Sequence, residues 1–171
     1  MSVQFQKDLM VVSDLQHALI TEIKHILSDL VNTGNGTTYA GFNGYAQFLP
    51  VLKNDDDDPD QFFPYFIVRV NGGKTVDDND LWTVDVTILL GVQDEDTDNL
   101  GQFHVMNAID RITTRFCQEA TLGTPGHKAF RCLPEMEWAL QDEDTYPYYF
   151  GAVQLKFMVP KPGRRTIPYA F

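Results

Sequence analysis

One stretch decides the fold of this chain: residues 81–92, which read LWTVDVTILLGV. Apolar and polar side chains alternate through it, and successive side chains of a β-strand point to opposite faces. One face of the predicted strand carries Trp82, Val84, Val86, Ile88 and Leu90. The other face carries Thr83, Asp85 and Thr87. Such a strand buries one face in a core and leaves the other to solvent or a partner.

Patterns on both sides of this strand predict the other elements. Apolar side chains at three- and four-residue steps predict two helices, at about 14–31 and 98–119. Ser13 and Gln16 form a capping-box pair for the first helix, and Asp98 is the expected cap of the second. Further strands are predicted at 45–52, 64–70, 129–133, 136–140 and 149–159. The strand at 64–70 is expected to end in a turn at residues 71–73, which read NGG.

The predicted order is therefore α-β-β-β-α-β-β-β. Strands joined by short turns predict an α+β fold, with a mostly antiparallel sheet and two amphipathic helices on one face. Residues 1–160 are expected to form a single domain, followed by a basic, Pro-rich tail at 161–171. Residues 34–44 are expected to form a loop or a wide hairpin end. The side of the second helix expected in the core carries Phe103, Met106, Ile109, Ile112 and Phe116.

The net charge of the chain argues against two classes of function. The chain has 24 acidic and 13 basic residues and a net charge of −11, whereas nucleic-acid clamps and proteins of anionic membranes carry clustered Lys and Arg. The first residues lack the basic start and apolar run of a signal peptide, and no apolar stretch reaches the ~20 residues that cross a bilayer. The protein is expected to fold in a cytoplasm, without a membrane partner. Cys117 and Cys132 are expected to be buried, reduced thiols.

The motifs do not predict an enzyme. Residues 72–75, GGKT, resemble the end of a phosphate-binding loop, but the first glycine of that motif is replaced by Val68. Asp94, Asp96 and Asp98 have the spacing of a calcium loop without its central glycine or its final Glu. We therefore predict no catalytic residue, cofactor or dedicated metal site. A small cation-dependent enzyme, or a Cys117 nucleophile with His104 or His127, remains as the alternative.

Acidic residues are concentrated in four connections between predicted elements. These connections hold 15 of the 24 acidic residues. One interpretation is ordinary solvated loops, and the other is an acidic rim formed where several loops converge on one end of the molecule. The candidate rim residues are Asp55, Asp56, Asp57, Asp58, Asp77, Asp78, Asp94, Asp96, Asp142 and Asp144.

Aromatic residues crowd the start of the last strand, where residues 146–151 read YPYYFG. They indicate either a corner of the core or a subunit interface, where Tyr and Phe are enriched. The candidate interface residues are Tyr146, Tyr148, Tyr149, Phe150, Arg164 and Arg165.

Three stretches in this order resemble the small tail-terminator, or tail-completion, proteins of long-tailed bacteriophages and prophages. They are PYFIVRV at 64–70, WTVDVTILLGV at 82–92 running into DED at 94–96, and YPYYFGAV at 146–153 leading to Val159 and Pro160. The resemblance covers about residues 62–160. Residues 34–44 and the basic tail depart from it, and we expect them to be arms that order on contact with a neighbour, where Arg164 and Arg165 meet an acidic loop.

The resemblance implies a virion subunit that forms a ring, of six copies, on the neck-proximal end of the tail tube. Such a ring ends tube growth and docks the tail onto the head connector, and DNA passes through its lumen without specific binding. The implied partners are other copies of this chain, the tube protein and a connector or neck protein. Another neck or head-closure protein, or a transient tail-assembly factor, is the alternative within the same setting.

Overall fold

A computed structural model describes residues 12–34, 37–123 and 130–161. The two helices are α1 (Val12–Ile26) and α2 (Gln102–Gln118). The strands are β1 (Val31–Gly34), β2 (Thr37–Ala40), β3 (Asn43–Ala46), β4 (Tyr65–Lys74), β5 (Trp82–Gln93), β6 (Thr121–Leu122), β7 (Phe130–Cys132), β8 (Glu137–Leu140) and β9 (Tyr148–Val159). A short 3₁₀ helix at Pro59–Phe62 precedes β4.

Seven strands form the main sheet, in the order β3-β4-β5-β9-β7-β6, with β8 also paired to β9. Every pair is antiparallel except β3 with β4, which is parallel. The centre of the sheet is the long β5–β9 pair, which runs from Trp82 opposite Val159 to Gln93 opposite Tyr148. Strands β1 and β2 form a separate two-stranded sheet.

Both helices pack on one face of this sheet, so the predicted α+β fold is confirmed. The buried face of β5 is the predicted one, apart from Trp82, which is only partly buried. On α1 the core side chains are Leu15, Leu19 and Ile23. On β9 they are Val153, Leu155, Phe157 and Val159. The alternation at the centre of the sequence thus specifies the central strand and the side of it that the helices cover.

The predicted buried side of α2 was wrong at two positions. Phe103 is 52% exposed and Met106 is also exposed, while Val105 and Ala108 are buried in their place. A side chain at Gly151 of β9 would lie 2.6 Å from Val105 Cγ1, so the helix approaches the sheet through this glycine. The close approach sets the rotation of the helix and leaves Phe103 and Met106 on its flank.

Several predicted boundaries were also wrong. Strand β4 continues to Lys74 through the predicted NGG turn, with its register shifted between Val70 and Gly72, because β5 goes on pairing with it. The cap predicted for α2 is absent: Gly101 stands at that position, and the Asp98 carboxylate accepts from the Leu100 N–H before the helix begins.

At the N-terminal side, α1 begins before the predicted Ser13–Gln16 cap and ends at Ile26. The Gln16 side chain instead donates to Gln47 Oε1 at 2.7 Å and to the Val68 carbonyl at 2.9 Å, so it joins the helix to the sheet. Strands β1 and β2 occupy part of the predicted 34–44 loop. Strand β3 ends before Gln47, whose positive φ of 64° interrupts the strand predicted to reach residue 52.

Candidate functional site

Three of the four acidic connections lie at the same end of the sheet. The connection before β4, the β5–α2 connection and the β8–β9 connection meet there, because Gln93 at the end of β5 pairs with Tyr148 at the start of β9. We call residues 55–60, 94–98 and 142–144 the acidic end. The fourth connection, with Asp77 and Asp78, joins β4 to β5 at the opposite end of the sheet, so the prediction that these two belong to one rim was wrong.

Side chains of the aromatic segment hold the acidic end together. The Tyr148 hydroxyl donates to Asp60 Oδ1 at 2.8 Å. The Tyr146 hydroxyl donates to the Glu95 carbonyl at 2.6 Å. The Tyr149 hydroxyl donates to Asn99 Oδ1 at 2.7 Å. The three tyrosines lie at or just before the start of β9. Their bonds reach the connection before β4, the β5–α2 connection and the Asn99 side chain that follows the acidic residues of that connection.

Amide side chains add further bonds between these connections. Gln93 Nε2 donates to Asp60 Oδ2 at 3.3 Å and to Glu95 Oε1 at 3.4 Å. Asn99 Nδ2 donates to Asp144 Oδ2 at 3.3 Å. The positions of the three connections are therefore set by neutral donors, while most of their other carboxylates face solvent.

The carboxylates also change the chemistry of Tyr148. Its hydrogen bond to Asp60 raises the pKa of the phenol, and the charges of Asp60, Asp58 and Glu95 raise it further. A raised pKa keeps the hydroxyl protonated, so it remains a donor to Asp60.

Asp94 is the buried member of the acidic end, 8% exposed. Its Oδ1 accepts from the Asp96 N–H at 3.0 Å, and its Oδ2 lies 3.2 Å from His104 Nε2 on the first turn of α2. Both carboxylate oxygens are therefore engaged in fixing the β5–α2 connection. In the described part of the chain, no group of three or more His, Cys, Asp or Glu side chains is arranged to hold a metal ion.

The predicted interface residues separate into three groups. Tyr146 is exposed, and Tyr148 and Phe150 are half-buried beside Phe63 on the face away from the helices. Tyr149 is buried against Gly101, so its prediction as an interface residue was wrong. Arg164 and Arg165 lie outside the described residues.

The predicted thiol environment was right for one cysteine only. Cys132 is buried, and burial raises its pKa to about 11, which keeps the thiol protonated and unreactive. Cys117 is exposed, with its Sγ 4.0 Å from Met136 Sδ. Along α2, Cys117 lies ~20 Å from His104, because each helical residue rises ~1.5 Å. The proposed pairing of these two in a catalytic site was therefore wrong, and His127 lies outside the described residues.

A second surface was missed by the sequence analysis. Trp138 on β8 is 56% exposed, and the exposed side chains of Phe103 and Met106 lie on the neighbouring helix α2. Three large apolar side chains in solvent mark an interaction surface better than scattered single ones do. The sequence contains a signal for this surface. Acidic residues flank the segment around Trp138, where a buried strand would have an apolar run.

No protein-family model matches this sequence, and no curated protein matches it significantly. None of the helices within the described residues is long and apolar enough to cross a membrane.

Proposed function

We propose that this chain is a structural virion protein that forms a ring, of six copies, on the end of a phage tail tube. In that position it ends tube growth and docks the tail onto the head connector. The proposal starts from the resemblance of residues 62–160 to tail-terminator proteins, and the α+β architecture fits it. The observation that carries it furthest is the acidic end, where three connections are fastened together on one side of the molecule.

An acidic end suits a protein through which DNA passes. Carboxylates repel phosphates, and a repeat of the same end around a ring sums their fields into a negative opening. DNA then crosses the opening without being held, whereas a basic lining would retain it through the release of counterions.

Exposed apolar side chains on two margins of the sheet fit a subunit with two neighbours. Phe48 and Val51 are exposed after β3 at one margin, and Trp138 is exposed on β8 at the other. A subunit that presents different surfaces to its two neighbours makes head-to-tail contacts, and such contacts close into rings when the rotation between copies allows it.

The same features suit a subunit better than an enzyme. The buried Asp94 and its partner His104 are used inside the fold, and among the described residues the recorded partner of the exposed Cys117 is Met136, which is not a base. We therefore assign the chain a role in assembly, without a catalytic step.

The proposal is tested by following the chain through particle assembly. In the phage that carries its gene, we expect the polypeptide in purified particles, as a ring of density between tube and connector in electron micrographs. Disruption of the gene is expected to give tubes of uncontrolled length that do not join heads. Tails of normal length without the chain would overturn the proposal, and its absence from finished particles would favour a transient assembly factor.

A further inference from the structure

The exposed apolar side chains on α2 and β8 lie along the same flank of the fold. Cys117 lies against Met136, just before β8, so this flank of α2 faces the strand. Met106 lies on the same flank, because it is eleven residues, or about three helical turns, before Cys117. We call Phe103, Met106, Cys117, Met136 and Trp138 the α2–β8 surface.

The side chain of Trp138 belongs to the same surface by register. Trp138 pairs with Val153, which is buried under the helices, and paired residues of neighbouring strands point to the same side of a sheet. The ring of Trp138 therefore lies on the helix side of the sheet, beside α2 and near its margin.

Negative charge lies at one end of this apolar surface. Asp142, Glu143 and Asp144 follow β8 and are all exposed, whereas Glu137 points to the other face of the sheet. Lys156 of β9 faces the other side of the sheet, where it is paired with Glu135 at 3.1 Å. A partner that covers the α2–β8 surface must therefore combine apolar side chains with positive charge.

One segment of this chain has that composition. Residues 162–171 read PGRRTIPYAF, with two arginines, no Asp or Glu, and the apolar side chains of Ile167, Tyr169 and Phe171. The segment lies outside the described residues and follows Lys161, whose Nζ donates to Thr75 Oγ1 at 2.8 Å.

We propose that residues 162–171 of one copy dock on the α2–β8 surface of a second copy, with the two arginines against Asp142, Glu143 and Asp144. This inference rests on the proposed function, because it names the contact that joins neighbouring subunits of the ring. The apolar side chains of the segment cover Trp138 and Met106.

The distance from Lys161 to residues 142–144 is too long for the same contact to form within one chain. Lys161 lies at the β4–β5 end of the sheet, while residues 142–144 lie beyond Tyr148 at the other end. Strand β9 separates these ends by ~37 Å, at ~3.4 Å for each residue step. Arg165 follows Lys161 by four residues and extends at most ~14 Å from it. Only another copy brings the arginines to these carboxylates.

Cross-linking of the full chain tests the contact directly. In a variant that carries Cys117→Ser, Thr166→Cys and Gln102→Cys, the thiol next to Arg165 is expected to form a disulfide with the thiol at the start of α2 of a neighbour, because Gln102 is exposed beside Asp142 and Glu143. The product is a ladder of covalent multimers on a non-reducing gel. Leaving Gln102 unchanged in this variant is expected to abolish the ladder. Trp138→Ala is expected to weaken it, whereas Val76→Ala, an exposed apolar change at the other end of the sheet, is expected to leave it unchanged.

Charge exchange separates a specific contact from an accidental one. Arg164→Glu with Arg165→Glu is expected to remove the ladder, and Asp142→Arg with Glu143→Arg in the same chain is expected to restore it. The acidic residues Asp77, Asp78 and Asp80 offer the arginines a partner within their own chain, which would leave the protein monomeric on the gel. Light scattering of the wild-type protein separates failure of this contact from failure of the ring. A wild-type ring without the ladder in the cysteine variant overturns this contact alone. A wild-type protein that stays monomeric in the presence of tube protein overturns the ring as well.

Discussion

Among single residues, Gly101 decides how closely α2 approaches the acidic end. An added Cβ at this position would lie 2.2 Å from Tyr149 Cε2, inside the ring of a buried side chain. The same tyrosine donates to Asn99, which in turn donates to Asp144. Any movement of the ring therefore disturbs the bonds that fasten the acidic connections together.

We expect Gly101→Ala to lower the free energy of unfolding by about 1–3 kcal/mol, the usual cost of overpacking a filled site. Urea unfolding followed by fluorescence measures the change. Gly72→Ala is the matched control, because nothing lies within 4 Å of the Cβ it would add on β4. Equal losses for the two variants would show that backbone freedom, rather than the Tyr149 ring, determines the effect.

Among the elements, the two helices are joined by Arg115. Its Nε donates to Glu22 Oε1 on α1 at 2.6 Å, and its Nη2 donates to the Thr121 carbonyl at 3.1 Å. The guanidinium also lies 5.1 Å from the centre of the Phe116 ring. One side chain thus connects α1, α2 and β6, in a partly buried setting where charged hydrogen bonds are least screened.

We expect Arg115→Met to lower the free energy of unfolding by about 1–3 kcal/mol, as removal of hydrogen bonds to a charged group does. Arg111→Met is the matched control: it also removes a pair between α2 and the end of α1, with Asp29, but that pair is largely exposed. Thermal and urea unfolding of both variants compare them. A loss for Arg111→Met as large as that for Arg115→Met would contradict this assignment.

The elements also show which part of the fold the sequence predicts. The alternation of apolar and polar side chains identified β5 and β9 and their buried faces, because a strand with one buried face needs an apolar residue at every second position. The buried side of α2 was missed, since Phe103 and Met106 continue the apolar spacing but the approach at Gly151 rotates them outward. The hairpin of β1 and β2 had a signal in Asn35-Gly36, a dipeptide favoured in two-residue hairpin loops.

The acidic end was predictable only in part, for a topological reason. The sequence places carboxylates in connections, but which connections meet depends on strand order and direction. Asp142 joins Asp94 at one end only because β9 lies beside β5 and runs antiparallel to it. The hydrogen bonds of Tyr146 and Tyr148 to that end depend on the same arrangement.

At the scale of the whole molecule, acidic residues lie at both ends of the sheet. The ring proposal can therefore be tested by removing the same number of charges from each end in turn. We expect Asp96→Asn, Asp142→Asn and Asp144→Asn together to slow DNA release from assembled particles several-fold, because a less negative opening repels phosphate less. Asn keeps an acceptor oxygen for the hydrogen bonds that these carboxylates accept. Time-resolved DNA ejection measures the effect.

The control set is Asp77→Asn, Asp78→Asn and Asp80→Asn, which removes the same number of charges at the opposite end of the sheet. This set is expected to leave DNA release at the wild-type rate. Equal slowing by both sets would mean that total charge, rather than the acidic end, controls passage of DNA. No slowing by the first set would place that end away from the path of DNA.

The parallel pairing of β3 with β4 has a consequence for how this protein tolerates change in length. A parallel neighbour forces the chain to return to the end of the sheet where it began, so the 18 residues from Gln47 to Pro64 form an obligatory crossover. Doubling such a connection costs only ~0.6 kcal/mol in closure entropy. The sheet therefore tolerates a longer crossover, provided that the insertion leaves the acidic residues 55–60 at the end of the molecule where they lie.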